Sequence, residues 1–231
     1  MSNSRQLAIT TVAKKFFIAL SGLGLVFFIV IHLLGNLALY RSEGSFFNAY
    51  TAKLNSFGGF VAIIEILLLA VFLVHSIGAF TTKKKNLGAR PIKYLQWRSK
   101  GKGTPSNISS RNMAISGMIL FLFTLIHVWQ FRFGPSIEQG YITTQDGVQI
   151  RDLYRLVVEV LQNPLMTCFY MVAMVLLGFH LRHGIWSAFQ SLGLTCPRTT
   201  QKLRLLGIFI SVVLAVGFLF IPVWVYFGVK I

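Results

Sequence analysis

The sequence predicts an all-α integral membrane protein, a bundle of five transmembrane helices. Of its 231 residues, 55% are hydrophobic and only 12% are charged, and the mean hydropathy is +0.67. A helix needs about 20 mostly apolar residues to cross a bilayer, and the apolar residues are gathered into blocks of that size. Five blocks are predicted spans of a single domain, residues 1–231: about 16–40, 58–80, 112–132, 164–190 and 205–228.

The first apolar block is expected to be a span rather than a cleaved signal peptide. It continues past Phe16 for more than twenty residues and is followed by no small-residue cleavage site. Among the connections, residues 151–162 are predicted to form a short amphipathic helix, because their leucines and valines recur at helical spacing. Cys168 and Cys196 suggest no disulfide framework, and the sequence has no Cys-x-x-Cys-His motif for covalent haem attachment.

The net charge of +16 is distributed unevenly across the predicted membrane. With five spans, the N-terminus, residues 81–111 and residues 191–204 share one side, which contains no acid. Loops rich in Lys and Arg stay in the cytoplasm, so we expect an inner-membrane protein with the N-terminus inside and the C-terminus outside. This side holds Arg5, Lys14, Lys15, Lys83, Lys84, Lys85, Arg90, Lys93, Arg98, Lys100, Lys102, Arg111, Arg182, Arg198, Lys202 and Arg204.

Two interpretations of this charge are compatible. Topology and anionic membrane lipid explain a basic cytoplasmic face. A docking face for an acidic soluble partner is the functional interpretation. Nucleic acid, the usual partner of so basic a soluble protein, is not expected here.

A weak internal repeat links the first and third spans. Ser21-Gly22 precedes His32 in the first span, and Ser116-Gly117 precedes His127 at the same spacing in the third. These two helices run in the same direction, so each is expected to carry a Ser-Gly pair near its inner end and a histidine near its outer end.

Four histidines in the spans are predicted to lie at two depths. With a rise of about 1.5 Å per residue, His32 and His127 lie roughly 25 and 24 Å above the nearest basic residue on the inner side. His75 lies roughly 12 Å from that side, and His180 also belongs to the inner half. Each level therefore receives one histidine from each of two helices. Ionisable groups in hydrocarbon are costly and usually functional, although a single such histidine is equally explained by a hydrogen bond to a neighbouring helix.

Paired imidazoles at two levels indicate two bis-histidine haems of type b. Low-spin haem iron takes two axial imidazoles on opposite faces, so His32 and His127 would hold one haem, and His75 and His180 the other. Gly35, Gly78 and Gly184 follow their ligands by three or four residues and are expected to leave room for the porphyrin. A zinc or di-iron site is less consistent, since no carboxylate clusters with the histidines.

The fourth ligand has two candidates, His180 and His183, which lie on similar faces of one helix. His180 is preferred because it lies deeper in the span. His183, beside Arg182 at the interface, would then bind a haem propionate or a lipid phosphate.

With these residues in place, the sequence resembles the diheme cytochrome b anchor subunit of succinate dehydrogenase and fumarate reductase, the single-anchor type. The resemblance covers nearly the whole chain. It depends on Ser21-Gly22…His32-Leu33-Leu34-Gly35-Asn36-Leu37, His75, Ser110-Arg111-Asn112-Met113…Ser116-Gly117…His127, Phe179-His180-Leu181-Arg182-His183-Gly184-Ile185-Trp186-Ser187 and Pro197-Arg198.

The resemblance implies a role in electron transfer. A flavoprotein and an iron–sulfur protein would dock at the cytoplasmic face, and electrons would pass between them and membrane quinone, expected to be menaquinone, through two protohaems. The dicarboxylate site would be on the flavoprotein. Ser21, Ser116 and Arg111 belong to the shared motifs and are candidate haem-binding residues. In the family the span-four ligand precedes a glycine by four residues, which Gly184 satisfies for His180.

One position departs from the pattern of the family. Some fumarate-reducing members carry a glutamate, proposed to move protons, two residues before the span-four ligand; this chain has Gly178 there. A proton route of that kind is therefore not expected. Glu65 is the sixth acid and lies inside a span; it is either a candidate for an outer quinone site or hydrogen-bonded across helices.

Two other classes of protein remain open. One is the cytochrome b subunit of another quinone-linked enzyme, such as a hydrogenase or formate dehydrogenase. The other is a membrane transporter or channel with structural histidines, although the sequence shows neither a broken-helix pair nor a further buried charge.

Overall fold

The computed structural model describes residues 2–41, 44–88 and 112–229. Within them, five helices are long and apolar enough to cross a membrane. Their bounds are α1 Ser2–Asn36, α3 Gly59–Gly88, α4 Met113–Arg132, α6 Pro164–Ser191 and α7 Thr200–Gly228. They coincide with the five predicted spans, so the predicted all-α membrane fold is confirmed.

Shorter elements connect these helices at one end of the bundle. A 3-10 turn, Leu37–Tyr40, extends α1, and α2, Ser45–Ser56, precedes α3. After α4 come a 3-10 turn, Ile137–Gln139, the strands β1 Ile142–Gln145 and β2 Val148–Arg151, and α5 Leu153–Gln162. We call this the hairpin end. We call the opposite end, where α1, α4 and α7 begin and α3 and α6 finish, the basic end. The halves of the bundle next to these two ends are the hairpin half and the basic half.

Residues 151–162 were predicted to be helical, and α5 confirms that prediction. The hairpin before it was not predicted, although its sequence carries a known signal. Asp146 and Gly147 form its two-residue turn with φ of 49° and 78°, and Asp-Gly is a preferred pair where both central residues need positive φ.

The loops of the hairpin end are joined by one buried amide. Asn48, on α2, is only 4% exposed. Its side chain donates to Asp152 Oδ1 over 2.7 Å and accepts from the backbone N–H of Tyr154 over 2.9 Å. Asp152 also accepts from the N–H of Arg155 and thereby caps α5. Gly44, with φ of 88°, lies where a side chain would collide with Tyr154.

Small residues allow the long helices to approach one another. A methyl group at Gly178 would lie 2.9 Å from Cβ of Ala215, and one at Gly207 would lie 3.2 Å from Ile185. This close pairing of α6 and α7 is typical of membrane helices, whose association depends on packing rather than on the hydrophobic effect. By contrast, α3 carries many exposed apolar side chains, such as Ile63, Ile66 and Phe80, as expected of a surface facing lipid.

Candidate haem-binding site

The first pair of histidines lies in the hairpin half of the bundle. His32, on α1, and His127, on α4, face each other with ring centres 5.8 Å apart and ring planes at 88°. The His32 ring is also stacked between Phe28 and Phe218. The two histidines whose predicted depth places them in this half therefore contact each other in the structure.

The second pair lies in the basic half. His75, on α3, and His180, on α6, have ring centres 6.4 Å apart and ring planes at 73°. His183 is one turn further toward the basic end and is half-buried. The histidine that faces His75 is thus His180, which is the ligand that depth in the span favours.

A backbone carbonyl and a serine hydroxyl orient the two rings of the second pair. Nδ1 of His75 lies 3.2 Å from the carbonyl oxygen of Ile18. Nδ1 of His180 lies 3.2 Å from the Ser116 hydroxyl, which itself donates to the Met113 carbonyl. A carbonyl can only accept, so Nδ1 of His75 carries the ring proton and Nε2 keeps its lone pair.

Two glycines allow these imidazoles to approach the neighbouring helices. A methyl group at Gly22 would lie 3.0 Å from Cε1 of His75, and one at Gly117 would lie 3.2 Å from Cε1 of His180. The two Ser-Gly pairs of the sequence repeat therefore perform the same task, one on α1 and one on α4. Each pair accommodates a histidine from another helix rather than the histidine that follows it in sequence.

The two levels are separated along both repeat helices. On α1, Gly22 lies at the level of the second pair, because it contacts His75, and it precedes His32 by ten residues. Gly117 precedes His127 on α4 by the same number. At 1.5 Å per residue the pairs lie about 15 Å apart along the helix axes.

The geometry of each pair fits two axial ligands of one metal ion. A metal–imidazole nitrogen bond is about 2 Å long, so opposed ligands place their ring centres about 6 Å apart. The observed values are 5.8 and 6.4 Å. Each level offers two imidazole nitrogen donors from two different helices, which is the donor set of a bis-histidine haem. The role of the histidines as iron ligands remains a prediction.

Among the other predicted haem-binding residues, Ser116 contacts a histidine and Ser21 bonds within its own helix. The Ser21 hydroxyl donates to the carbonyls of Phe17 and Ile18, within its own helix. Ser116 contacts His180, as described above. Arg182 is exposed near the basic end, and Arg111 lies outside the described residues.

The three glycines predicted to flank the porphyrin contact other groups. A methyl group at Gly35 would lie 2.6 Å from the Tyr50 hydroxyl, and one at Gly78 would lie 2.7 Å from Ile18. At Gly184 it would lie 3.5 Å from Met113. The glycines that touch the histidines are instead Gly22 and Gly117, and the sequence repeat was the signal that could have identified them.

Glu65 forms an ion pair between two spans. Its carboxylate lies 2.9 Å from Nε of Arg132 and accepts a second hydrogen bond from the same guanidinium at 3.1 Å. The two side chains are 42% and 57% exposed, in that order. The pair links α3 to α4 near the hairpin end, which fits the interpretation of Glu65 as bonded across helices.

One comparison with known proteins gives a partial match. The chain is similar to the succinate dehydrogenase cytochrome b558 subunit of Bacillus subtilis (strain 168), with 27% identity over 89 residues. The match spans 38% of this chain and 39% of that relative. No family model matches the sequence, and no solved structure matches it.

The fold and this similarity define the class of protein to which the chain is assigned. The chain is a multi-pass helical membrane protein. Its sequence supports a distant relationship to a membrane cytochrome b subunit of succinate dehydrogenase.

Proposed function

We propose that this chain is the diheme cytochrome b anchor of a succinate dehydrogenase or fumarate reductase. It would pass electrons between flavoprotein and iron–sulfur subunits and quinone in the membrane. The observation that carries the proposal is the presence of two opposed histidine pairs, one above the other, in a five-helix bundle. The cytochrome b558 subunit to which the chain is similar belongs to such an enzyme.

The proposed ligands are His32 with His127 and His75 with His180. Each b-type haem, when bound, supplies a one-electron iron couple. The chain's own residues orient the imidazoles: the Ile18 carbonyl holds Nδ1 of His75, which leaves Nε2 free to act as a metal ligand. Arg182, His183 and Arg111 are proposed to bind haem propionates or lipid phosphate at the basic end.

The basic end is proposed to face the cytoplasm and to receive the soluble subunits. Exposed cations surround it in the described residues, including Lys83, Lys84, Arg198, Lys202 and Arg204. Loops rich in Lys and Arg stay inside, and their field would steer an acidic partner to this face. We propose residues 81–111 as the segment on which these subunits dock, and most of this segment lies outside the described residues.

A quinone site is proposed in the hairpin half, close to His32. Glu65 is one candidate, because its carboxylate is partly exposed at the surface of the bundle. A groove of about 590 Å³ beside α1, lined by Gly35, Tyr40 and Tyr50 among others, is a second. Glu65→Gln and Tyr50→Phe distinguish them: the variant that raises KM for quinone while both haems stay bound identifies the site. If neither variant changes KM, the quinone site does not lie in this half.

A proton-carrying glutamate two residues before His180 is not proposed. Gly178 occupies that position, and even a methyl group there would approach Ala215 to 2.9 Å. A glutamate could enter only if α6 and α7 moved apart.

Purification of the native complex tests the proposed function. We expect a flavoprotein and an iron–sulfur protein to copurify with this chain and the complex to reduce quinone with succinate, or fumarate with quinol. Copurification with a hydrogenase or a formate dehydrogenase, without either dicarboxylate activity, would contradict the proposal.

A further inference from the structure

The histidine of α4 is held by a side chain rather than by a backbone carbonyl. Nδ1 of His127 lies 3.3 Å from the hydroxyl of Tyr170, on α6. That hydroxyl in turn donates to Oε1 of Gln130 over 2.6 Å. Tyr170 is only 6% exposed, so this chain of hydrogen bonds is shielded from competition.

The proton positions follow from the chemistry of the three groups. A phenol has one proton, and the short bond to Gln130 uses it. Toward His127 the Tyr170 oxygen can therefore only accept, so Nδ1 of His127 carries the ring proton. Nε2 then retains its lone pair, as a metal ligand requires.

The basic half differs in its hydrogen-bond partners. There, His75 is held by the Ile18 carbonyl, and His180 lies against the Ser116 hydroxyl, which donates to the Met113 carbonyl of its own helix. A backbone carbonyl survives any side-chain substitution. In the hairpin half, Nδ1 of His127 has the Tyr170 hydroxyl as its partner. The orientation and basicity of the His127 ring therefore depend on the side chain at position 170.

We propose that Tyr170, itself oriented by Gln130, is a positioning residue that fixes the tautomer and ring orientation of His127 and sets the reduction potential of the hairpin-half haem. The inference depends on the proposed function, because it assumes that His127 is an axial ligand. An acceptor on Nδ1–H makes the imidazole a more basic ligand. A more basic ligand favours the oxidised iron, so loss of the acceptor should raise the potential.

Tyr170→Phe removes the acceptor and keeps the ring. In the purified full-length protein we expect both haems to remain bound and one of them to become easier to reduce. The expected change is about tenfold in the ratio of reduced to oxidised haem at a fixed potential, equal to about 59 mV for a one-electron couple. The affected haem should be the one that His127→Ala removes, and its electron paramagnetic resonance signal should shift with it.

Two further substitutions test the role of Gln130. Gln130→Met removes the acceptor of the Tyr170 hydroxyl and frees it to reorient, so the same haem should shift in the same direction by a smaller amount. Gln130→Glu keeps an acceptor for Tyr170 and adds negative charge, so that haem should become harder to reduce. If Tyr170→Phe fails to fold, these two variants decide the question by the opposite signs of their shifts.

Matched controls separate this effect from a general one. Tyr141→Phe removes a phenol hydroxyl that donates to Glu159, far from the histidines, and should leave both potentials unchanged. Ser116→Ala should change the basic-half haem only. Unchanged hairpin-half potentials in both Tyr170→Phe and the Gln130 variants, in protein that binds two haems, would overturn the inference and leave the proposed function intact. Wild-type protein without haem would overturn the proposed function itself.

Discussion

Glycine at positions 22 and 117 allows a close contact with a histidine of another helix. A Cβ atom at either position would lie 3.0–3.2 Å from the imidazole, so a side chain there would push against the ring. Gly24, on the same helix as Gly22, is instead near Val71, at an ordinary contact distance of 3.7 Å. Gly22 and Gly24 lie two residues apart on one helix, but only Gly22 is in close contact with a histidine.

Gly22→Val should remove the basic-half haem. The added side chain would displace His75 from the position in which it faces His180, while His32 and His127 stay paired. The absorbance spectrum should show loss of one haem of two, and the remaining haem should be the one that His127→Ala removes. Gly24→Val is the matched control and should retain both haems. Equal haem content in the two variants would contradict this account of Gly22.

The four ligands can be tested in pairs. His32→Ala and His127→Ala should each remove the same haem, and His75→Ala and His180→Ala should each remove the other, because each pair shares one metal. His183→Ala should retain both haems, since His180 is the histidine that faces His75. Loss of the basic-half haem from His183→Ala but not from His180→Ala would show that His183, and not His180, is the ligand.

Sequence alone could place the histidines because depth in a span depends only on residue number. It could not identify Tyr170, which reaches His127 from a helix 43 residues away, and no spacing rule links the two. It also assigned room for the porphyrin to Gly35, Gly78 and Gly184 by their distance along the ligand's own helix. In the structure the close approaches to histidine are made by glycines of neighbouring helices.

At the scale of elements, the long helices were predictable and the hairpin end only partly so. Apolar block length determines a span, and amphipathic spacing revealed α5. The buried amide of Asn48 was not predictable, because its partners Asp152 and Tyr154 lie about a hundred residues away. Its hydrogen bonds hold α2 against the start of α5.

Asn48→Ala should loosen the hairpin end. The substitution removes the buried hydrogen bonds that Asn48 makes with the Asp152 carboxylate and the Tyr154 N–H, a loss of about 1–3 kcal/mol. We expect faster proteolysis within residues 137–151 and a lower melting temperature, with the haem content unchanged. Asn55→Ala, an exposed asparagine on the same helix, should behave like the wild type. Equal cleavage rates for the two variants would contradict the role given to Asn48.

At the scale of the whole molecule, the proposed docking face is the basic end. The described cations of the basic end are exposed, and attraction from this face would weaken as salt shortens the Debye length to about 8–10 Å at physiological ionic strength. Apolar contacts must then hold the complex. Tyr94, Leu95 and Trp97 are the predicted anchors, because aromatic residues and arginine are enriched at interface hot spots; they lie outside the described residues.

Trp97→Ala combined with Arg98→Ala should loosen the soluble subunits while both haems stay bound. The readout is the amount of flavoprotein and iron–sulfur protein that copurifies at increasing salt. Trp129→Ala with Arg155→Ala removes the same residue types near the hairpin end and should have no such effect. Protease should cut residues 81–111 more slowly in the complex than in the isolated anchor. Equal rates would place the docking surface elsewhere.

The central claim is that two opposed histidine pairs hold two haems in one chain. The most direct measurement is the amount of protohaem per chain in the purified wild-type protein, determined from the pyridine haemochrome spectrum and the protein concentration. The account predicts two haems per chain, with a reduced-minus-oxidised spectrum typical of low-spin bis-histidine iron. A value of zero or one haem per chain would contradict it.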